Sequence, residues 1–139
     1  MTGPVERPAR LLLVEDQAIN RALVRAVLAR ADDPRIRNAT ILEAPSLAEA
    51  RQCLANGAVD VVLLDVRLPD GSGLDLAREI ASHGRSEAPS VRPRMIVLSA
   101  SVMPAQREEA IDAGCDAFLA KPFDTRELLS LIGSLLDPN

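Results

Sequence analysis

Hydrophobic residues along the chain are grouped in short unbroken runs, and amphipathic stretches separate these runs. Three runs without polar alternation predict strands buried on both faces of a parallel sheet, at 10–14, 60–64 and 95–98. Residues 117–120 predict a short last strand, and the half-polar segment 40–44 predicts a strand at the sheet edge. Helices are expected at about 17–31, 46–56, 74–82, 105–113 and 124–136. The alternation predicts an α/β fold, a doubly wound sheet of five parallel strands with five helices.

The first predicted helix shows the amphipathic pattern most plainly. Ile19, Leu23 and Val27 recur every four residues and predict one apolar face, whereas Arg21 and Arg25 are expected to face water. Capping-box spacing marks the starts of two later helices, at Ser46–Glu49 and Asp124–Glu127. Loops are expected at 35–38 and at 83–93, the second being longer than most connections of this kind.

Length and composition indicate one globular domain. The chain has 139 residues, of which 47% are hydrophobic and 26% charged, enough to bury a core. We expect a flexible N-terminal tail at 1–9, a single domain at 10–136 and a short C-terminal end at 137–139. No apolar run approaches the roughly 20 residues that span a bilayer, and no apolar signal segment opens the chain, so we expect a cytoplasmic protein.

Charge and aromatic content argue against nucleic-acid binding. The net charge is −4, and there are two Phe, no Trp and no Tyr, so neither a basic patch nor a stacking platform is available. Of the 16 basic side chains only Lys121 is a lysine. Because a lysine ammonium is a compact point charge and a guanidinium is not, this choice points to a specific contact at that position.

Polar residues stand directly after four of the predicted strands. These residues are Glu15, Asp16, Asp65, Ser99 and Lys121. The strands of a parallel sheet all point the same way, so these side chains are expected to meet at one edge, where α/β sheets place their ligand sites. Taken alone, Asp65 could equally be a turn residue or a helix cap. The other strand ends favour a site.

Three carboxylates in one crevice need more positive charge than a single lysine supplies. Two carboxylates about 4 Å apart repel by roughly 4 kcal/mol at an effective dielectric constant of 20. Mg²⁺ binds one or two carboxylates, keeps several waters and bridges to phosphate oxygens. Asp65 is placed to act as a nucleophile toward a phosphoryl group, while Ser99 and Lys121 are placed to contact the phosphoryl oxygens.

Together these motifs resemble the receiver domain of two-component response regulators, over residues 10 to about 136. The resemblance is carried by the acid pair at 15–16, the segment Leu-Leu-Asp-Val-Arg-Leu-Pro-Asp-Gly-Ser-Gly at 63–73, Ser99-Ala100, and Lys121-Pro122-Phe123. Each motif is weak singly, and the set in this order is specific. The resemblance implies a flavodoxin-like fold with strand order 2-1-3-4-5.

The resemblance also implies a chemical role for each residue. Asp65 would accept a phosphoryl group from the phosphohistidine of a sensor histidine kinase or a histidine phosphotransfer protein. Asp16, Asp65 and the backbone carbonyl of Arg67 would bind Mg²⁺ or Mn²⁺ directly, and Glu15 would act through a metal-bound water. The chain would be a self-phosphorylating acceptor that also loses its phosphoryl group, at a rate the sequence does not predict, and not a turnover enzyme.

Two further residues are implied to form a switch. In this family the hydroxyl at Ser99 moves toward the phosphoryl group, and the aromatic ring at Phe118 turns inward behind it. The face made by the predicted fourth helix, fifth strand and fifth helix then changes and binds an output partner or a second copy of the chain. This chain has Glu15, Ser99 and Phe118 where many relatives have Asp, Thr and Tyr.

Two other interpretations stay open at this stage. One is a receiver-like interaction scaffold that is never phosphorylated. The other is an Asp-nucleophile phosphatase, although such an enzyme needs a second acid soon after Asp65, and the nearest candidate, Asp70, lies in a turn. The segment at 14–21 also resembles receivers attached to hybrid kinases, which favours a phosphorelay role. The sequence names no cognate kinase, output or oligomeric state.

Overall fold

The structure is a computed structural model that describes residues 8–86, 92–100 and 103–137. Its elements, in chain order, are β1 (Arg10–Val14), α1 (Ala18–Ala29), α2 (Pro34–Arg37), β2 (Thr40–Ala44), α3 (Leu47–Ala55), β3 (Val61–Asp65), β4 (Arg67–Leu68), β5 (Gly71–Ser72), α4 (Gly73–Ser86), β6 (Arg94–Ser99), α5 (Pro104–Asp112), β7 (Ala117–Ala120) and α6 (Thr125–Leu136). Most of the predicted N-terminal tail, the middle of the predicted loop 83–93 and the last two residues lie outside the described ranges.

Five of the strands form one parallel sheet in the order β2-β1-β3-β6-β7. Since β6 and β7 are the predicted fourth and fifth strands, the order 2-1-3-4-5 is confirmed, with β2 at an edge as expected. Leu11 pairs with Val61 and Leu63 with Ile96, so the apolar runs lie side by side in the centre of the sheet. The carboxyl ends of β1, β3, β6 and β7 therefore share one edge.

The core consists of two apolar layers, one on each face of the sheet. Alternate residues of the central strands point to opposite layers: Leu12 and Val62 to one, Leu11 and Leu63 to the other, and all four are fully buried. Helices α3, α4 and α5 cover the first layer, and α1, α2 and α6 cover the second. Burial on both faces explains why these runs show no polar alternation.

The structure contains two features that were not predicted, a short helix and a hairpin, and one helix is longer than predicted. A one-turn helix, α2, occupies the segment predicted as an arginine-bearing loop, with Pro34 in its first turn and Asp33 as its N-cap. Strands β4 and β5 form a small antiparallel hairpin directly after Asp65. In addition, α4 continues to Ser86, beyond its predicted end at residue 82.

The apolar face predicted for α1 is mostly exposed, although Val27 on that face is half-buried and Arg25 faces solvent as expected. Ile19 is 77% exposed and Leu23 60% exposed, whereas Val24 and Leu28 are buried against the sheet. Both pairs have the same four-residue spacing, so the helical period alone does not choose between them. Arg21 was predicted to face water and is instead half-buried, because its guanidinium reaches across the ends of β1 and β2.

The last helix carries a wide apolar surface. Leu128 and Ile132 are fully buried, and Leu129 and Leu136 pack partly against the same layer. Helix α2 lies beside α6, and the Arg35 guanidinium links them by donating to Asp137 at 2.7 Å and to the carbonyl oxygen of Gly133 at 3.2 Å. Contacts within the chain therefore cover much of this apolar surface. In the described part of the chain, no helix is both long enough and apolar enough to cross a membrane.

Candidate functional site

Four strand ends bring five polar side chains into one crevice. The Nζ atom of Lys121 lies 3.0 Å from Oε1 of Glu15 and 3.2 Å from Oδ2 of Asp65. One carboxylate oxygen from each of Glu15, Asp16 and Asp65 lies within 4.8 Å of the other two. Ser99 lines the same crevice, whose volume is ≈ 520 Å³. All five residues predicted from the strand ends are therefore neighbours in the fold.

Backbone and side-chain donors fix Glu15 at the end of β1. Its side chain is buried, and its Oε2 accepts a hydrogen bond of 2.9 Å from the backbone N–H of Gln17. Nη1 of Arg21 donates to the Glu15 carbonyl oxygen at 2.8 Å, and Nε of Arg21 donates to Glu43 at 3.0 Å. Asp16, the next residue, is exposed to solvent. One acid is therefore held in place while its neighbour faces the crevice mouth.

The turn after β3 is shaped around Asp65. The backbone N–H of Arg67 lies 3.4 Å from Oδ1 of Asp65, and the N–H of Gly73 donates to the carbonyl oxygen of Val66 at 2.7 Å. A Cβ atom at position 73 would collide with the Asp65 carbonyl oxygen, so the backbone approach requires glycine there. The hairpin thereby returns the chain directly beside the candidate phosphoacceptor.

Asp70 anchors this hairpin to a neighbouring helix. Its carboxylate accepts hydrogen bonds from the first backbone N–H groups of α3, at Leu47 (2.9 Å) and Ala48 (3.1 Å), and these bonds hold the pKa of Asp70 below its usual value. Two otherwise unpaired helix N–H groups are thus satisfied from a distant segment. Sequence spacing carries no signal for such a cap, because the acid lies more than twenty residues after the two N–H groups that it caps.

Burial and charge oppose each other in the crevice. Burial disfavours ionisation of Glu15, but the hydrogen bond from Gln17 and the ammonium of Lys121 together lower the pKa of Glu15. Burial raises the pKa of Asp65, and the nearby Glu15 charge adds to this rise although Lys121 opposes it. Burial alone would lower the pKa of Lys121, yet its two carboxylate partners raise it. The lysine is shared between two acids and cannot neutralise both.

The two predicted switch residues lie behind the acids and both contact α5. The buried hydroxyl of Ser99 donates a hydrogen bond of 3.1 Å to Oε1 of Gln106. Phe118 is partly buried on the layer covered by α5, and Cζ of Arg107 lies 5.9 Å from the centre of its ring. Sequence reasoning missed Gln106 and Arg107, since a glutamine and an arginine on a polar helix carry no distinctive signal.

The donor set of the crevice suits a hard divalent cation. Three carboxylates converge, and among the described residues Lys121 is the only cation that forms ion pairs with them. Oxygen-only donor sets with surplus negative charge are those that Mg²⁺ and Mn²⁺ occupy. The residues present therefore fit the predicted ion, with Asp16 at the open mouth and Asp65 deeper in the crevice.

The chain is thus a doubly wound α/β domain with an acid cluster and a lysine at one edge of its sheet. The family model of the response regulator receiver domain matches residues 11–133. The transcriptional regulatory protein GltR of Pseudomonas aeruginosa is 36% identical over 126 residues, which cover 91% of this chain and 48% of that protein. The chain therefore belongs to the response regulator receiver domain family of two-component systems.

Other relatives show the range of proteins that carry such a domain. The aerobic respiration control sensor protein ArcB of Escherichia coli is 32% identical over 127 residues, 91% of this chain but 15% of that protein. A crystal structure of a putative response regulator from Chloroflexus aurantiacus matches with a TM-score of 0.78 and 25% identity, covering 94% of this chain and 98% of that one. The chain spans about half the length of GltR and of several other curated relatives.

Proposed function

We propose that this chain is a phosphorylation-controlled receiver domain in which Asp65 accepts a phosphoryl group from the phosphohistidine of a sensor kinase or phosphotransfer protein. The observation that carries the proposal is the position of Asp65, whose Oδ2 lies 3.2 Å from Lys121 inside a three-carboxylate cluster. A partly buried acid with surplus negative charge around it needs a ligand that brings positive charge. Membership of the receiver family supplies the class of reaction.

The proposed transfer is a displacement at phosphorus. An ionised carboxylate oxygen of Asp65 attacks the phosphorus atom, the bond from phosphorus to the donor histidine nitrogen breaks, and the imidazole leaves with the electron pair. The product is an acyl phosphate on Asp65. Lys121, already within hydrogen-bond distance of the acid, would hold one of the phosphoryl oxygens. The backbone N–H of Arg67 is directed at the other carboxylate oxygen of Asp65.

Asp16, Asp65 and the carbonyl oxygen of Arg67 would hold the divalent cation, with Glu15 contacting one of its waters. When bound, the ion supplies the positive charge that offsets the carboxylates and the incoming phosphoryl group. Glu15 is suited to a role through water because its two oxygens already accept from Gln17 and Lys121. Asp16 is suited to direct contact because it is exposed at the mouth of the crevice.

The switch proposed for the family maps onto α5, β7 and α6 in this chain. Ser99 would turn toward the phosphoryl group, Phe118 would follow it inward, and the exposed face of α5, β7 and α6 would change its contacts with an output partner or a second copy. We place the protein in the cytoplasm, where its kinase or phosphotransfer partner would reach it. As a regulatory domain it is modified itself and does not turn over other substrates.

The exposed apolar residues of α1 are suited to contact the phosphodonor. Ile19 and Leu23 lie on the helix that follows Asp16, and both are more than half exposed. Apolar side chains beside an active-site mouth commonly mark a protein-binding surface. We expect Leu23→Asp to slow phosphotransfer from the partner at least tenfold while leaving acceptance from acetyl phosphate unchanged. Equal losses with both donors would contradict this assignment.

The decisive experiment measures the intact mass after incubation with Mg²⁺ and acetyl phosphate. We expect one added phosphoryl group that is stable in acid and labile in base. It should be absent in Asp65→Asn and in a sample treated with a chelator. An absent adduct, together with no Mg²⁺-dependent binding of a phosphoryl mimic, would contradict the proposal and favour the unphosphorylated interaction scaffold.

A further inference from the structure

The first turn of α5 contacts both residues of the proposed switch. Oε1 of Gln106 accepts the 3.1 Å hydrogen bond from the hydroxyl of Ser99, and Gln106 also lines the acidic crevice. The next residue, Arg107, lies over the ring of Phe118. The backbone N–H groups of Gln106 and Arg107 both donate to the carbonyl oxygen of Met103, so the two residues belong to one helical turn.

A serine hydroxyl has a single proton to donate. In this structure the Ser99 hydroxyl donates to Gln106, and the residue is only 3% exposed. A phosphoryl group on Asp65 offers only acceptor oxygens, so a contact from Ser99 requires the same proton. The two hydrogen bonds therefore exclude each other. The bond to a phosphoryl dianion is the stronger of the two because a charged acceptor roughly doubles the strength of a hydrogen bond.

We infer that Gln106 is a positioning residue that holds the Ser99 hydroxyl in the resting state, and that accepting a phosphoryl group releases the first turn of α5. The inference rests on the proposed function and adds to it a residue that binds neither the metal nor the phosphoryl group. Loss of the Ser99 contact removes one contact that holds this turn. Another contact among the described residues, Arg107 on Phe118, joins the same turn to the aromatic residue proposed to move.

The test is the affinity of the intact chain for beryllofluoride, a phosphoryl mimic, at constant saturating Mg²⁺. Titration calorimetry suits this protein because it has no Trp or Tyr to report binding by fluorescence. Gln106→Leu keeps the approximate side-chain size and removes the acceptor. Because the resting state loses one hydrogen bond, we expect the variant to bind beryllofluoride about fivefold more tightly, with its Mg²⁺ affinity unchanged.

The same substitution elsewhere is the matched control. Gln52 is exposed on α3, and Gln52→Leu is expected to bind beryllofluoride as the wild type does. A double-mutant cycle isolates the contact: in a Ser99→Ala background, Gln106→Leu should no longer change the affinity. Amide exchange is a second readout. Beryllofluoride should speed exchange at Gln106 and Arg107 in the wild type, which a purely structural role would not produce.

The outcomes separate the inference from the proposed function. If the wild type binds beryllofluoride and Gln106→Leu binds it equally or more weakly, the inference is wrong and the receiver function stands. If the gain persists in the Ser99→Ala background, Gln106 acts by another route and the inference is also wrong. If the wild type itself binds no beryllofluoride with Mg²⁺, the proposed function fails, and the inference fails with it.

Discussion

The two edges of the central sheet both collect acidic side chains, but they balance the negative charge differently. At the amino edge, Asp60 precedes β3 and Asp116 precedes β7. Asp60 accepts from the backbone N–H of Arg10 at 2.7 Å, and Asp116 accepts from that of Met95 at 2.8 Å. Asp116 also pairs with the guanidinium of Arg92 at 3.2 Å. These acids have partners that hold the starts of the strands together.

At the carboxyl edge, the acids outnumber their cationic partners. Glu15, Asp16 and Asp65 converge, and among the described residues Lys121 alone forms ion pairs with this cluster. Charges arranged in this way cost stability in the absence of a ligand. The comparison teaches that buried acids alone do not mark a site. The mark is an acid cluster whose charge the surrounding protein leaves unbalanced.

The largest expected effect comes from replacing the cation of the carboxyl edge by methionine, and the same replacement at the amino edge is the control. Lys121→Met should slow phosphorylation by acetyl phosphate about 100-fold, because the transfer loses a positioned charge on the phosphoryl group. Arg94→Met removes a cation that pairs with Asp116 at 3.6 Å at the amino edge, and it should leave the rate unchanged. Initial rates from intact mass measure both. Similar phosphorylation rates for the two variants would mean that the two edges do not differ in function.

The second prediction concerns the amino edge, where we expect a substitution to change stability and not phosphorylation. Asp116→Ala should lower the free energy of unfolding by about 2 kcal/mol, because the Met95 N–H and the Arg92 guanidinium lose their acceptor. Asp116→Asn keeps an oxygen for Met95 and should cost less. Urea denaturation gives both values, and acetyl phosphate should still modify the folded variants. A loss below about 0.5 kcal/mol would mean that the amino-edge contacts are not structural.

The smallest expected effect is stabilisation by the divalent cation. Mg²⁺ at ten times its dissociation constant should raise the free energy of unfolding by about 1.4 kcal/mol, since it binds only the folded carboxyl edge. Asp16→Asn should remove most of this gain at the same concentration, and the amino-edge variant Asp60→Asn should retain it. Thermal denaturation with and without chelator checks the prediction. An equal response in both variants would place the ion elsewhere.

Much of the fold and of the candidate site followed from the order of residues. Unbroken apolar runs indicate strands buried on both faces, and the parallel sheet brings the residues that follow them to one edge. Glu15, Asp16, Asp65, Ser99 and Lys121 were predicted as neighbours for that reason, and the structure places them so. The strand order itself came from the family resemblance, since many doubly wound orders share the same alternation of elements.

Tertiary packing decided what periodicity left open. The four-residue spacing of α1 allowed either the Ile19 or the Val24 stripe to be buried, and only docking on the sheet chose Val24. Contacts between separate elements were likewise invisible to local patterns. Asp70 caps α3 from a hairpin that comes after the helix, and Gln106 on α5 accepts the hydrogen bond from the Ser99 hydroxyl at the end of β6.

The sequence by itself therefore determined the class of fold, the strand ends and the chemistry of the residues that stand there. These depend on burial and on spacing along one strand or helix, and both are local properties of the chain. The tertiary structure decided which helix faces are exposed and which side chains support the acids from other elements. Those contacts join residues far apart in the chain, and their geometry exists only after the layers have packed.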